Sequence, residues 1–187
     1  MERNVDMTEI SDGKRYTSND LAKLGCGDCA GCSKCCHGMG ESITLDPYDI
    51  YNLTINLKMT FNELLAESLG LSVKDMIILP HLNLKAEGEG CLFLDENGRC
   101  SIHSFRPGIC RLFPLGRIYE NESFSYFLQI NECVKQNRTK VKIKKWLGIP
   151  NLAAYENYIN TWHYFLKNMK AFLEEQDNEE MSKNEVD

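Results

Sequence analysis

The clearest pattern of apolar positions lies toward the C-terminal end of the chain. From residue 151 to about residue 175, apolar side chains recur every three or four residues, at Leu152, Tyr155, Ile159, Trp162, Leu166, Met169 and Leu173. This spacing puts them on one face of an α-helix, and a helix of this length must bury one face to be stable. We therefore predict one long amphipathic helix, followed by an acidic disordered tail over residues 176–187.

Two shorter helices are predicted in the first half of the chain. The first begins at Asp46-Pro47, an N-cap followed by proline at the first helical position. Its apolar stripe consists of Ile50, Leu53 and Leu57. The second begins with a capping box formed by Thr60 and Glu63, and the pattern predicts its end at Gly70.

Short extended segments complete the pattern. Residues 115–119 and 124–128 flank the polar residues 120–123 and predict a hairpin, while residues 43–45 and 77–84 are predicted to be extended. Residues 91–100 predict a further hairpin, with its turn at residues 95–98. Short hairpins flanked by helices predict an α+β fold.

Length and composition favour one domain. The chain has 187 residues, of which 43% are hydrophobic and 26% charged, enough for one apolar core. We predict a single domain over residues 16–175, preceded by a disordered N-terminus over residues 1–15.

The net charge of the chain narrows the classes of molecule that we expect it to bind. A formal net charge of −6 gives no overall attraction to nucleic acid or to an anionic membrane. Residues 1–20 lack the apolar segment of a secretory signal, and no apolar run approaches the roughly 18 residues that cross a bilayer. We expect a cytoplasmic protein without a nucleic-acid or membrane partner, and leave a protein partner open.

One stretch of this acidic chain is basic. It contains Lys135, Arg138, Lys140, Lys142, Lys144 and Lys145. A charge run is usually a solvated face, and the alternative is a surface that binds an anionic partner.

Cysteine is the residue type that indicates chemistry. Five of the nine cysteines lie within residues 26–36, at Cys26, Cys29, Cys32, Cys35 and Cys36. Gaps of two residues let successive thiolates surround one metal centre, and disulfides are not expected in a reducing cytosol. The first three cysteines have the spacing that opens a bacterial ferredoxin motif, but the fourth position departs from it.

The remaining cysteines follow later in the chain. Cys91 and Cys100 lie on either side of the predicted turn at residues 95–98, and Pro107-Gly108 redirects the chain so that Cys110 can return to the same place. Cys133 follows the next hairpin. Two cysteine-containing stretches are thus predicted to form a small irregular metal-binding core.

The motifs in these stretches resemble the YkgJ-type cysteine-cluster family, the zinc- or iron-chelating CxxCxxCC proteins. The resemblance is carried by Cys29-x2-Cys32-x2-Cys35-Cys36, by Cys91-Leu-Phe-Leu with Gly98-Arg-Cys100-Ser-Ile-His, and by Arg106-Pro-x2-Cys110-Arg-x-Phe-Pro114. It implies metal binding by Cys29, Cys32, Cys35, Cys36, Cys91, Cys100, Cys110 and Cys133. Ser33 and His103 depart from the usual family residues, glycine and tyrosine, without removing a thiol.

Other polar residues near these cysteines are candidates for the same site. Arg106 and Arg111 flank cluster cysteines and are predicted to offset the negative charge of thiolates and sulfides, with a salt bridge elsewhere as the alternative. His37 and His103 could ligate metal through imidazole, although a single histidine more often packs or lies on the surface.

Three functions remain open. The leading hypothesis is an iron–sulfur protein, for example with a 4Fe–4S cluster, that serves electron transfer, redox sensing or a cluster-dependent enzyme. The second is a zinc-binding structural or interaction module. The third is a protein-modifying enzyme akin to the flagellin lysine methylases, whose cysteine region the family resembles. No catalytic residue is identified, because no Ser/His/Asp arrangement, carboxylate-pair motif or phosphate loop appears.

The cysteine pattern generates a test of the ligand set. A ferredoxin-type site would use Cys26, whereas the family pattern starts at Cys29 and includes Cys110. We expect Cys26→Ser to retain most of its bound metal, and Cys32→Ser and Cys110→Ser to lose it, since deleting a thiolate opens the coordination shell. Metal per protein is the measurement. Loss in Cys26→Ser together with retention in Cys110→Ser would reverse the assignment.

Overall fold

The computed structural model describes residues 6–27, 32–85 and 90–184, with side chains up to Asn178. The helices are α1 Met7–Ile10, α2 Pro47–Leu57, α3 Phe61–Glu67, α4 Gly108–Leu112, α5 Ile143–Leu147 and α6 Leu152–Asn184. The strands are β1 Leu21–Gly25, β2 Leu69–Lys74, β3 Ile77–Leu82, β4 Leu115–Glu120, β5 Ser123–Leu128 and β6 Thr139–Lys142. Three short 3-10 helices lie at Lys34–Cys36, Gly40–Ser42 and His103–Phe105. The protein therefore has the predicted α+β fold.

The strands form three antiparallel pairs. β2 pairs with β3 and β4 pairs with β5, each through a two-residue turn, whereas β1 pairs with β6 from the far end of the chain. The register places Leu21 opposite Lys142. This third pair joins the segment before the first cysteine stretch to the basic run.

The first apolar core lies between the β1–β6 and β4–β5 pairs and α5. Its members include Leu24, Leu115, Tyr126, Ile143 and Leu147, which are almost completely buried. β1 and β5 each point every second side chain into this core, and α5 closes it. Burial of this many large side chains makes this core a main source of the fold's stability.

The second apolar core lies beneath the cysteine segments. Its fully buried centre is formed by Leu45, Leu53, Leu64, Leu69 and Ile102. α2, α3 and the β2–β3 hairpin supply most of these side chains, and Cys91, Cys100 and Cys110 pack against them. The second core therefore supports the cysteines of the second stretch.

A buried carboxylate connects α2 to α4. Asp49 completes a capping box with Asp46 at the start of α2, and its Oδ1 accepts a hydrogen bond of 2.8 Å from the backbone N–H of Gly108. Burial, followed by the nearby Asp46 carboxylate, raises the pKa of Asp49 to about 7, and the bond from Gly108 opposes the shift. This contact holds the helix that carries Cys110.

The structure corrects several boundaries. α3 ends at Glu67 and β2 begins at Leu69, so the predicted helix end at Gly70 was wrong. Every residue from Leu69 to Lys74 pairs with β3. The turn between the two strands consists of Asp75 and Met76, which both have positive φ. The segment of residues 91–100 is held by an isolated bridge between Leu94 and Cys100 rather than by regular strands. The α2, β3 and β4–β5 predictions are confirmed.

The long helix extends past its predicted end. α6 runs to Asn184, into the segment expected to be a disordered tail. Residues 152–184 contain neither glycine nor proline and are rich in Glu, Lys, Leu and Ala, which favour helix. Similarly, α1 lies inside the segment expected to be a disordered N-terminus, with Asp6 as its N-cap. The division into one domain and two tails stays a prediction. Within the described part of the chain, no helix combines the length and apolarity needed to cross a membrane.

The approach of α6 to α4 generates a stability prediction. A Cβ on Gly108 would overlap the hydroxyl oxygen of Tyr155 and lie 3.3 Å from its Cζ. We expect Gly108→Ala to destabilise the protein by about 1–3 kcal/mol through overpacking. The measurement is urea unfolding.

Removing the overlapping oxygen provides the control. Gly108→Ala combined with Tyr155→Phe should recover part of the lost stability, because the nearest clashing atom is absent. Strictly additive losses from the two substitutions would show that this contact does not limit the position.

Candidate metal centre

The first cysteine stretch is described from Cys32 onward. Cys35 and Cys36 lie in the 3-10 helix Lys34–Cys36, where the N–H of Cys36 donates to the carbonyl of Ser33 at 2.8 Å. This tight turn places two adjacent thiols at the same end of the segment. Cys29, the first cysteine predicted as a ligand, lies outside the described residues.

Backbone contacts bring the second cysteine stretch to the first. The N–H of Cys91 donates to the carbonyl of Cys36 at 2.8 Å. Gly98, in the turn after Cys91, approaches Ser33 so closely that a Cβ there would lie 3.4 Å from the Ser33 hydroxyl. The two stretches, more than fifty residues apart in sequence, are therefore neighbours in the fold.

Cys100 and Cys110 join this region through different elements. Cys100 forms the bridge to Leu94 and precedes the 3-10 helix His103–Phe105. Cys110 lies in α4, after Pro107 as N-cap. The chain reversal predicted at Pro107-Gly108 is therefore the start of a short helix.

Four of the thiols form what we call the inner set: Cys36, Cys91, Cys100 and Cys110. Burial raises the pKa of Cys110, and Cys91, Asp49 and Cys100 raise it further. Burial likewise raises the pKa of Cys91 and of Cys100. A buried thiol stays neutral without a nearby cation, whereas a bound metal favours the thiolate. The inner set thus provides four sulfur donors, and a bound metal would favour their thiolate form over the neutral thiols.

Cys35 and Cys36 form a coupled pair. The Cys36 thiol donates a hydrogen bond to Cys35, and this bond is the main cause that lowers the pKa of Cys35 to about 6; burial opposes it, and Arg106 and His37 assist it. The same bond, followed by burial, raises the pKa of Cys36, as do Cys35, Cys110 and Cys91. The hydrogen bond therefore shifts the two pKa values in opposite directions, down for Cys35 and up for Cys36.

Cys35 also belongs to a second group, which we call the outer set: Cys26, Cys32, Cys35 and Cys133. These four line one cavity of about 30 Å³, whose other walls include Phe113, Pro114 and Trp146. The Trp146 indole N–H donates to the carbonyl of Phe113 at 3.1 Å, which fixes this apolar wall. Cys35 and Cys36 thus connect the two sets.

The two predicted arginines have different surroundings. Arg106 contributes positive charge that favours the thiolates of Cys35, Cys100 and Cys110, and its side chain also contacts His103. This agrees with a charge-balancing position beside the cysteines.

The side chain of Arg111 faces backbone rather than thiols. It donates to the carbonyls of Arg106 at 3.0 Å, of Leu147 at 3.3 Å and of Ser104. Because these carbonyls belong to the segment before α4 and to α5, Arg111 ties α4 to the first core. The predicted role of Arg111 in offsetting thiolate charge stays a prediction.

The two candidate histidines lie at the edge of the site. His37 is exposed, and its Nδ1 lies 2.8 Å from the carbonyl of Ser33. Its Nε2 would be 3.1 Å from a Cβ on Gly90, next to Cys91. His103 contacts Arg106. Among the described residues, this region therefore contains more cysteine thiols than histidine imidazoles.

The sulfurs lie together without forming a finished single-ion site. Within residues 6–27, 32–85 and 90–178, no three or more Cys, His, Asp or Glu side chains are arranged to hold one metal ion. Cys32, Cys35, Cys36, Cys91, Cys100, Cys110 and Cys133 form no disulfide. These seven cysteines are therefore free thiols, whose thiolate form is the one that binds metal.

Comparison with protein-family models identifies the family to which a chain with this cysteine arrangement belongs. Residues 28–145 match the family model named CxxCxxCC, described as "Putative zinc- or iron-chelating domain". The chain belongs to this family. The CxxCxxCC match covers both cysteine stretches and Cys133, and begins after Cys26. No solved structure matches the chain.

Family membership confirms the recognised resemblance and supports a zinc- or iron-chelating cysteine-cluster protein. The eight predicted ligands stay predictions, because the family description names no residues. The family pattern does not include Cys26, but the structure adds Cys26 to the candidate site, since it lines the same cavity as Cys32, Cys35 and Cys133. The sequence signal for Cys26 was the gap of two residues that separates it from Cys29.

The position of the cysteines on loops generates a prediction about order. Few regular hydrogen bonds hold residues 32–45 and 90–107, so bound metal should contribute much of their local stability. We expect chelation to raise hydrogen exchange in residues 26–45 and 88–115 while α6 stays protected. Equal exchange with and without metal throughout the chain would contradict this dependence.

Proposed function

We propose that this CxxCxxCC protein binds an iron–sulfur cluster through thiolates of both cysteine stretches. The observation that carries the proposal is the inner set, whose four cysteines come from separate segments: the backbone of Cys91 bonds to that of Cys36, and Cys91, Cys100 and Cys110 pack on the same apolar core. Thiolates are the protein ligands that iron–sulfur clusters use. When bound, such a cluster supplies one-electron redox chemistry.

The pattern of the cysteines supports a cluster over one zinc ion. A tetrahedral zinc ion takes four ligands, whereas seven of the eight predicted ligand cysteines already lie in the described part of the chain. Cys35 and Cys36, which are adjacent in the chain, belong to the outer set and the inner set respectively.

The chain's own residues suit a negatively charged group. Arg106 places a guanidinium near three cysteines, and its Nε is buried without a hydrogen-bond partner among the described residues. A buried unpaired donor is costly, so an acceptor such as a thiolate or sulfide would satisfy it. The second core, packed under Cys91, Cys100 and Cys110, limits access of water.

The role that follows is redox: electron transfer, sensing or support of a cluster-dependent enzyme, with a protein partner and in the cytoplasm, where thiols stay reduced. Neither nucleic acid nor a membrane is proposed as the partner, given the net charge of −6.

Absorbance and metal analysis test the proposal. Protein purified without oxygen should be brown, with charge-transfer bands and with iron and acid-labile sulfide in equal amounts. Cys91→Ser should lose the bands, whereas Ser101→Ala, a matched change in the same loop, should retain them. Colourless protein that contains stoichiometric zinc would overturn the iron–sulfur proposal and establish the zinc module.

A further inference from the structure

A second surface feature lies beside Cys133 and is not explained by metal binding. It is an open groove of about 470 Å³. Its lining consists of Lys23, Asn131, Cys133, Val134, Lys135, Gln136, Asn137 and Arg138. The groove is formed where the loop after β5 returns to pair with β1 as β6.

The groove is positively charged in an acidic protein. Three of its eight lining residues are cations and none is a carboxylate, although the chain as a whole has a net charge of −6. Among the described residues, no carboxylate forms an ion pair with Lys23, Lys135 or Arg138. None of these three cations is therefore held in an ion pair among the described residues.

The β1–β6 register adds to this charge. Lys23 lies opposite Lys140 in the antiparallel pair, and both side chains are exposed. Like charges directly opposite one another destabilise a strand pair. The fold maintains this repulsion at the groove, as expected for a surface that receives negative charge.

Arg138 supplies a guanidinium group to the lining of the groove. An oxyanion is the acceptor that a guanidinium binds best, through charge-assisted hydrogen bonds.

Amide side chains complete the donors. Asn131 and Asn137 both adopt positive φ, 69° and 55°, so the loop bends at each end of the segment that carries Cys133 and Lys135. Together with Gln136, these residues place amide groups next to the three cations.

We propose that this groove binds a small oxyanion with at least two negative charges. Its volume falls within the range of small-molecule sites, and its lining of ammonium, guanidinium and amide groups matches carboxylate or phosphate oxygens. The bound anion lies next to Cys133, which lines both the groove and the cavity of the outer set. The groove thus gives an anionic ligand access to the edge of the cysteine region.

Titration of the full-length protein tests the proposal. Inorganic phosphate and succinate, two dianions of different chemistry, are added separately at constant ionic strength while backbone amide resonances are followed by NMR. We expect saturable shifts in residues 131–138 and at Lys23. Tighter binding of phosphate assigns the ligand to phosphate esters, and tighter binding of succinate assigns it to dicarboxylates.

Variants distinguish a built site from general attraction. Arg138→Gln and Lys135→Gln should each weaken binding about tenfold, the effect of losing one charge-assisted hydrogen bond. Lys142→Gln is the matched control, because Lys142 is an exposed cation at the end of β6, the strand that follows Arg138, but does not line the groove. It should weaken binding less than about twofold.

Three results would overturn the proposal: no saturable shift with either anion up to about 10 mM, shifts centred elsewhere on the protein, or an equal loss of affinity in Lys142→Gln. If Arg138→Gln does not fold, Lys135→Gln and Lys23→Gln carry the same test, since Lys23 is exposed. Metal analysis of each sample shows whether a loss of anion affinity occurs at unchanged metal content, which separates this test from that of the proposed function.

Discussion

The arrangement of the cysteines depends on burial of the second apolar core. Leu45, Leu53, Leu64, Leu69 and Ile102 come from segments that are distant in sequence, and their packing brings Cys91, Cys100 and Cys110 to one surface. Burying these thiols raises their pKa values, so hydrophobic packing and thiolate formation oppose each other until a cation is bound. In this fold, packing positions the ligands and metal would complete their chemistry.

The contacts around α4 show how precisely this position is maintained. Asp49 accepts a hydrogen bond from the first turn of α4, the Arg111 side chain donates one to the Leu147 carbonyl of α5, and Gly108 admits the Tyr155 hydroxyl of α6. These three contacts come from three different helices. A helix of five residues has little stability alone, so Cys110 owes its position to these neighbours.

Positively charged side chains lie in two separate places, at the thiols and at the open groove. Arg106 lies among the thiols of the metal centre, while Lys23, Lys135 and Arg138 line the open groove beside Cys133. The basic run, for which the sequence left a solvated face and an anion-binding surface open, is thus divided: Ile143 and Leu147 of α5 are buried in the first core, and Lys135 and Arg138 line the groove.

The sequence by itself determined the α+β class, the helix starts at Asp46 and Thr60, the β4–β5 hairpin and the cysteine pattern, because caps, turns and ligand spacings act between residues close in the chain. The β2–β3 turn was missed because Asp75-Met76 is not a typical hairpin turn sequence. Only the tertiary structure decided the β1–β6 pair, the orientation of Arg111 and the division into inner and outer sets. These depend on contacts between residues distant in sequence, which become favourable only when both apolar cores have closed.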